Sequence, residues 1–459
     1  MMNGTSILFY VSGRKMVCLK TVCGLFAAIL LLGFTPPAQA ELKIDITKGN
    51  IDPLPVAVTN FKGDPGEAER IGRDISAVIS SDLEGSGLFR PIDPNAFIQT
   101  PVSLQVRPRF GDWRVINAQA MVQGNVQLLD DGRLKVEFRL WDVYAETQMA
   151  GLVYHTSPKS WRRIAHIIAD EIYKRLTGEE GYFDTRIVYI AESGPQNKRI
   201  RRLAIMDQDG ANHRFLTDGS YTVLTPRFSP TAQEITYMSY IDPYNPRVYI
   251  FNIDTGQQEL LGDFPGMTFA PRFSPDGNSV IMSLSTSGNS EIYTMDIRTR
   301  KVRRLTKNPA IDTSPSYSPD GSMIVFNSDR GGSQQLYVMD GDGKNARRIS
   351  HGKGRYATPV WSPRGDLIAY TKMLGGEFYI GVMHPDGSGE RQLAKGFLVE
   401  APTWAPNGRV LSYWSKAKSD EKGGGGETRL HVVDLTGYND RILVTPLDAS
   451  DPAWSPLIP

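Results

Sequence analysis

The sequence predicts a two-domain protein, an N-terminal α/β domain over residues 41–180 followed by an all-β six-bladed propeller over residues 181–459. Two observations carry that prediction. First, a Pro-x-aromatic-Ser-Pro-Asp-Gly unit recurs along the second half, with its first prolines at 226, 271, 315, 359, 402 and 452. The resulting intervals are 45, 44, 44, 43 and 50 residues, filled with strand-like text, which is the period of a propeller blade. Second, the repeat is cut at both ends in complementary ways. Arg186-Ile-Val-Tyr-Ile-Ala191 and Leu203-Ala-Ile-Met-Asp207 match the later part of a unit with no beginning, and Asp451 to Pro456 is a beginning with no remainder. Joined, the two fragments make a sixth blade and leave no open sheet edge.

Residues 1–40 have the form of a secretory leader. Arg14, Lys15 and Lys20 are basic, an apolar run of about fourteen residues follows from Thr21 to Phe34, and Pro-Ala-Gln-Ala40 offers a cleavage site after Ala40. The run is short of the roughly twenty residues that a spanning helix needs. Met16 is an alternative start. Both cysteines, Cys18 and Cys23, fall within the leader, so the processed chain has neither disulfides nor thiol chemistry. Without the leader, 48 basic residues face 50 acidic ones, and no basic face for nucleic acid is implied.

Residues 41–52 alternate polar and apolar at Leu42, Ile44 and Ile46, which suits either a first strand or an extended arm. Leu54 to Val58 has the pattern of a buried strand. Asp64-Pro-Gly-Glu67 has the form of a capping box for a helix with Ile71, Ile75, Val78 and Ile79 on one face. Ala120–Leu128 and Leu134–Leu140 flank Asp130-Asp-Gly132 as a hairpin with one wet face. After a short strand near 151–154, Ser157-Pro158 is placed to cap a second helix with the stripe Trp161, Ile164, Ala165, Ile168 and Ile172, ended by Gly178. Leu176-Thr-Gly-Glu-Glu-Gly181 is the join.

Within a repeat, Ser-Pro-Asp-Gly forms the turn between the first two strands. Phe228, Phe273, Tyr317, Trp361, Trp404 and Trp454 share one position and are expected to wedge between neighbouring blades. The long last interval holds an inserted loop from Lys416 to Thr428.

Catalytic patterns are scarce. The six histidines are scattered, and no metal-hydrolase motif, nucleophile elbow or phosphate loop occurs. Asp207-Gln-Asp-Gly210 and Asp340-Gly-Asp-Gly343 superficially resemble calcium loops, but lack the downstream glutamate and fall where a blade turns.

A leader, a small α/β domain and six tandem Pro-x-aromatic-Ser-Pro-Asp-Gly units together resemble the TolB family of the bacterial Tol-Pal system. The likeness extends over the join Leu176-Thr-Gly-Glu-Glu-Gly-Tyr-Phe-Asp-Thr-Arg-Ile187 and the closing Pro452-Ala-Trp-Ser-Pro456. Arg364 in place of aspartate, and Thr231-Ala232 in place of Asp-Gly, depart from the repeat and are expected to weaken those turns.

The resemblance implies a periplasmic, monomeric adaptor without catalytic activity, cofactor or metal. It implies that the propeller mouth binds the lipoprotein Pal, that the N-terminal arm engages TolA, and that the system maintains the outer membrane and draws it inward at division. Other outer-membrane-associated proteins are admitted as partners. The α/β domain is expected to resemble the anticodon-binding domain of some aminoacyl-tRNA synthetases, without RNA binding. The loops entering each first strand ring one mouth, which places the Pal surface at Tyr221, Thr225, Met267, Phe269, Ala270, Thr313, Ser314, Tyr356, Thr358 and Glu400. The TolA contacts fall on Glu41, Leu42, Ile44 and Ile46. A secreted propeller hydrolase and a glycan-binding module are the alternatives.

Overall fold

The computed structural model describes residues 42–44, 52–99, 104, 106–242, 245–262, 264, 267–286, 288–419 and 426–459. The leader with its cleavage site, and the tip of the 416–428 insertion, lie outside them. Among the described residues no helix is long and apolar enough to cross a membrane.

The α/β part is built on one mixed sheet. Its strands are β1 (Leu54–Val58), β2 (Lys62–Gly63), β3 (Phe89–Pro91), β4 (Ala120–Leu128), β5 (Leu134–Asp142) and β6 (Thr147–Thr156), in the order β3-β1-β4-β5-β6 with β2 also on β4. β1 lies parallel to both β3 and β4, while β4, β5 and β6 form an antiparallel meander. Helices α1 (Glu67–Gly85) and α3 (Trp161–Thr177) pack together against it, and the short helix α2 (Phe110–Val115) adds Phe110 and Trp113 to a cluster with Ala57, Met121 and Trp141.

The predicted stripe of α1 is buried at Ile71, Ile75, Val78 and Ile79. Its capping box does not form. The helix begins at Glu67 with Gly66 as cap, at a φ of 113° that only glycine adopts comfortably, and no side chain caps it. Asp64 contributes its carbonyl instead, accepting from the Glu69 amide. Ser157 caps only a 3₁₀ turn, Pro158–Ser160, that leads into α3. Gly178 ends α3 in the left-handed conformation as its sequence position requires.

Six four-stranded antiparallel sheets form the propeller. The innermost strands of blades one to six are Val223–Phe228, Met267–Phe273, Asp312–Tyr317, Arg355–Trp361, Leu398–Trp404 and Asp448–Trp454. The sixth blade is shared between the ends of the chain: Asp448–Trp454 pairs with Arg186–Ser193, in register at Trp454 with Ile187 and at Ala449 with Ala191. The join is tied further by the Arg186 amide donating to Ser455 Oγ at 2.8 Å and by the Ile458 amide donating to the Asp184 carbonyl at 3.0 Å. This removes the edge that Arg186–Ser193 would otherwise expose.

The aromatic position wedges between blades. Trp361 packs with Val325, Leu336 and Val338 of blade three, and Trp404 Nε1 donates to the Val360 carbonyl of blade four at 3.1 Å.

The motif proline has a consequence that the repeat pattern alone does not reveal. Proline cannot donate to a ladder, so inside a sheet it belongs at a bulge. In all six blades the register of the first strand shifts across the motif proline. The preceding residue takes a positive φ at Thr225 (49°), Ser314 (53°), Thr358 (46°), Ala401 (54°) and Asp451 (48°). A left-handed, non-glycine residue before proline is a strained arrangement, held here by pairing on both sides.

Candidate functional site

The direction of the strands distinguishes two faces. Each innermost strand starts at one mouth of the channel and ends at the Ser-Pro-Asp-Gly turn on the other. The turn-bearing face is packed against the α/β part. Glu179 accepts from Arg409 Nε at 2.7 Å and pairs with Arg364 at 3.0 Å, both arginines standing in such turns. Arg364 is the predicted weak point of its turn, and the structure gives it a partner across the junction instead. The α1 C-terminus is met by Arg441, whose Nη1 donates to the Gly85 carbonyl at 2.6 Å, a cation where the helix dipole favours one.

The most deeply buried polar group of this junction is Asp82–His166. His166 Nδ1 lies 2.6 Å from Asp82, and Gln208 of the propeller donates to the other Asp82 oxygen at 2.8 Å. Burial alone would push the His166 imidazolium down, but the Asp82 carboxylate more than offsets this and holds it up at about 9. Burial likewise raises Asp82. With Asp209 these two are the described residues whose ligand atoms come close enough together for a metal ion. They fit one poorly: Asp82 faces Nδ1, Asp209 faces Nε2 from 3.9 Å, and Arg162 already pairs with Asp209. A single ion cannot reach both ring nitrogens, and the group is an ion-pair latch.

The opposite face, toward which the 4-to-1 loops and the 2-to-3 turns point, carries no contact to the α/β part among those described. Of the residues expected there, Thr225, Ser314 and Thr358 occupy the left-handed bulge position and are half-buried. The Ser314 amide donates to Ser283 Oγ of blade two at 3.1 Å, and Thr358 and Thr371 hydroxyls meet at 2.8 Å. Thr313 and Tyr221 are half-buried beside them. Glu400 sits in the channel wall, where burial first and the Asp451 carboxylate second push it up. The side chains of Met267, Phe269 and Ala270 lie outside the described residues, although their backbone forms the blade-two strand.

Tyr356 requires a correction. Its ring is 0 % exposed and its hydroxyl donates to Glu390 at 2.8 Å, with Lys372 Nζ over the ring. It is a packing residue between blades three and four, and its ring cannot reach a partner.

What the expected set misses is apolar surface. Ile200, Ile241, Ile311, Leu374 and Phe397 all stand at strand ends or loops of this face and are exposed, Ile311 and Phe397 by 47 % each. These five exposed apolar side chains come one from each of five blades and all lie on this face. The signal existed in the sequence, because Ile311 and Phe397 lie just before first strands, but they sit beyond the motif's recurrent residues.

In the arm, Ile44 is buried and its amide donates to the Leu176 carbonyl at 2.8 Å, so the fold itself holds this residue at the end of α3. Leu42 is half-buried, and Glu41 and Ile46 lie outside the described residues.

Residues 42–149 match the family model of the TolB amino-terminal domain, and residues 173–458 match that of the TolB beta propeller domain. The chain is 67 % identical over 436 residues to the Tol-Pal system protein TolB of Paramagnetospirillum magneticum, covering 95 % of this chain and 97 % of that one. It is also similar to the crystal structure of TolB from Acinetobacter baumannii, with a TM-score of 0.78 at 28 % identity over 90 % of this chain and 100 % of that one.

Proposed function

The chain belongs to the TolB family of the periplasmic Tol-Pal system, and from that premise we propose that it is a non-catalytic adaptor that docks Pal on the open face of its propeller. In this reading the N-terminal arm, residues 41–52, engages TolA, and the assembly supports outer-membrane integrity and invagination at cell division. The observation that carries the docking assignment is the contrast of faces. One mouth is engaged by ion pairs to the α/β part, and the other leaves Ile200, Ile241, Ile311, Leu374 and Phe397 exposed around a ring of bulged strand entries.

Fully desolvated apolar anchors at the centre of an interface typically cost 2 kcal/mol or more, roughly thirtyfold in affinity, when removed. Titration calorimetry of the purified protein with the soluble portion of Pal tests this directly. Phe397→Asp together with Ile311→Asp is expected to weaken binding about a hundredfold while the melting temperature stays put. Unchanged affinity in that variant would place the docking surface elsewhere.

A further inference from the structure

One residue past the motif proline, the six blades carry Arg227, Arg272, Ser316, Val360, Thr403 and Ala453, and all six line a single cavity of about 380 Å³ in the channel. The ring is lopsided. Four members are short, and two of these have their hydroxyls occupied: Ser316 Oγ accepts from the Trp361 amide and Thr403 Oγ1 from the Trp454 amide, both at 3.2 Å. The space they leave faces two guanidiniums from neighbouring blades.

Those guanidiniums are poorly matched by the protein. Arg227 is only 8 % exposed, yet the bond described for it is Nη1 donating to its neighbour's carbonyl, Pro226, at 2.6 Å. Its Nε has no partner, nor has the Nε of Arg272. No carboxylate comes within 4 Å of either among the described residues. Asp451, half-buried and one layer toward the open face, acts on Arg227 only from a distance. Burial pushes both arginines down, Arg272 the further, with Arg227 repelling it. A buried arginine without a paired anion is costly, and five fork-arranged donors suit a planar, two-oxygen acceptor.

The rest of the wall is mixed: each blade contributes its motif aromatic and its second motif proline, from Pro230 round to Pro456, at the mouth that bears the Ser-Pro-Asp-Gly turns, with Ser229, Ser318, Ser362 and Ser455 between them. No residue of the α/β part lines the cavity. A volume of this size lies in the range of small-molecule sites and exceeds what a bare ion fills.

We propose that this cavity is a binding site for a carboxylate carried on a small apolar body, the carboxylate held between Arg227 and Arg272 and the body resting on the proline and aromatic wall. The site is separate from the open-face patch and does not depend on how partners dock there.

Calorimetric titration with benzoate, benzamide and inorganic phosphate tests it. Benzoate is expected to bind saturably at one site, with benzamide at least tenfold weaker. Arg272→Met, which removes no described hydrogen bond, is expected to weaken benzoate at least tenfold. Arg272→Lys, which keeps the charge and loses the fork, is expected to fall between and keeps the test decisive if the methionine variant does not fold. Benzamide binding as well as benzoate, affinity indifferent to both variants, or no binding of any probe would overturn the proposal. Phosphate binding more tightly than benzoate would overturn the role given to the proline and aromatic wall.

Discussion

The two faces of the propeller are made from the same six repeats but fastened by different physics. On the packed face the contacts are directional and charged: Glu179 with Arg364 and Arg409, Gly85 with Arg441, Asp82 with His166 and Gln208. On the open face Ser314 and Thr358 bond within and between the blades, and apolar side chains are left exposed. Directional pairs fix one geometry and leave little surplus for a second partner, whereas an apolar rim is complementary to whatever can cover it. The difference teaches that a ring of near-identical blades is given polarity by single substitutions in its turns, Arg364 and Arg409 among them.

That contrast can be broken most severely at the seam. Removing residues 451–459 takes away most of the strand that pairs with Arg186–Ser193, including Trp454, and opens the ring. The cooperative melting transition of the whole propeller is expected to be lost, as followed by calorimetry. A truncated protein that melts as the intact one does would show that the seam is dispensable.

A subtler cut separates the faces. Glu179→Ala leaves Arg409 and Arg364 facing each other without their shared carboxylate and should cost about 2 kcal/mol of stability. Denaturant titration reads that loss, while affinity for a partner on the open face should not move.

The junction should also respond to pH, in a direction set by His166. Its pKa is raised in the folded protein, so the stability it contributes is fully present below about 6.5 and is lost as pH rises through about 9. The groups facing it are Asp82, Asp207, Asp209 and Arg162. Asp82 is raised as well and acts with the same sign. Melting temperatures measured from pH 6.5 to 9 should fall by the equivalent of something on the order of 3 kcal/mol, and His166→Gln should flatten the profile. An equally steep profile in the variant would locate the titrating group elsewhere.

The smallest effect concerns the arm. Deleting residues 41–52 removes the Ile44 side chain, at the margin of the core, and its amide bond to Leu176, together worth about 2 kcal/mol at the low end of such contributions. The expected result is a slightly lower but still cooperative melting transition. Loss of the transition would make the arm part of the core.

How much of this was legible depends on the range of the interaction. The blade count, the shared sixth blade and the inter-blade aromatics follow from a short pattern repeated at fixed spacing, so local text sufficed. The stripes of α1 and α3 were legible for the same reason, although Trp161, counted with the core, is half-exposed. The failures are non-local or run against local preference. A left-handed residue before proline is disfavoured on its own, so Thr225, Ser314 and Thr358 were placed correctly at strand entries without their bulge being foreseen. Tyr356 is expected at the mouth from its place just before a motif proline, but its burial depends on Lys372 and Glu390 from other parts of the blade. The role of Arg364 required Glu179, nearly two hundred residues away in sequence, and spacing holds no record of that pairing.

The central claim is that the open face, not the turn-bearing face, is the docking surface. Amide hydrogen exchange of the protein with and without the soluble portion of Pal tests it most directly. Protection is expected in the 4-to-1 loops and 2-to-3 turns around Ile241, Ile311, Leu374 and Phe397, with the turns at Arg364 and Arg409 unchanged. Protection confined to those turns, with the open face exchanging as before, would contradict the account.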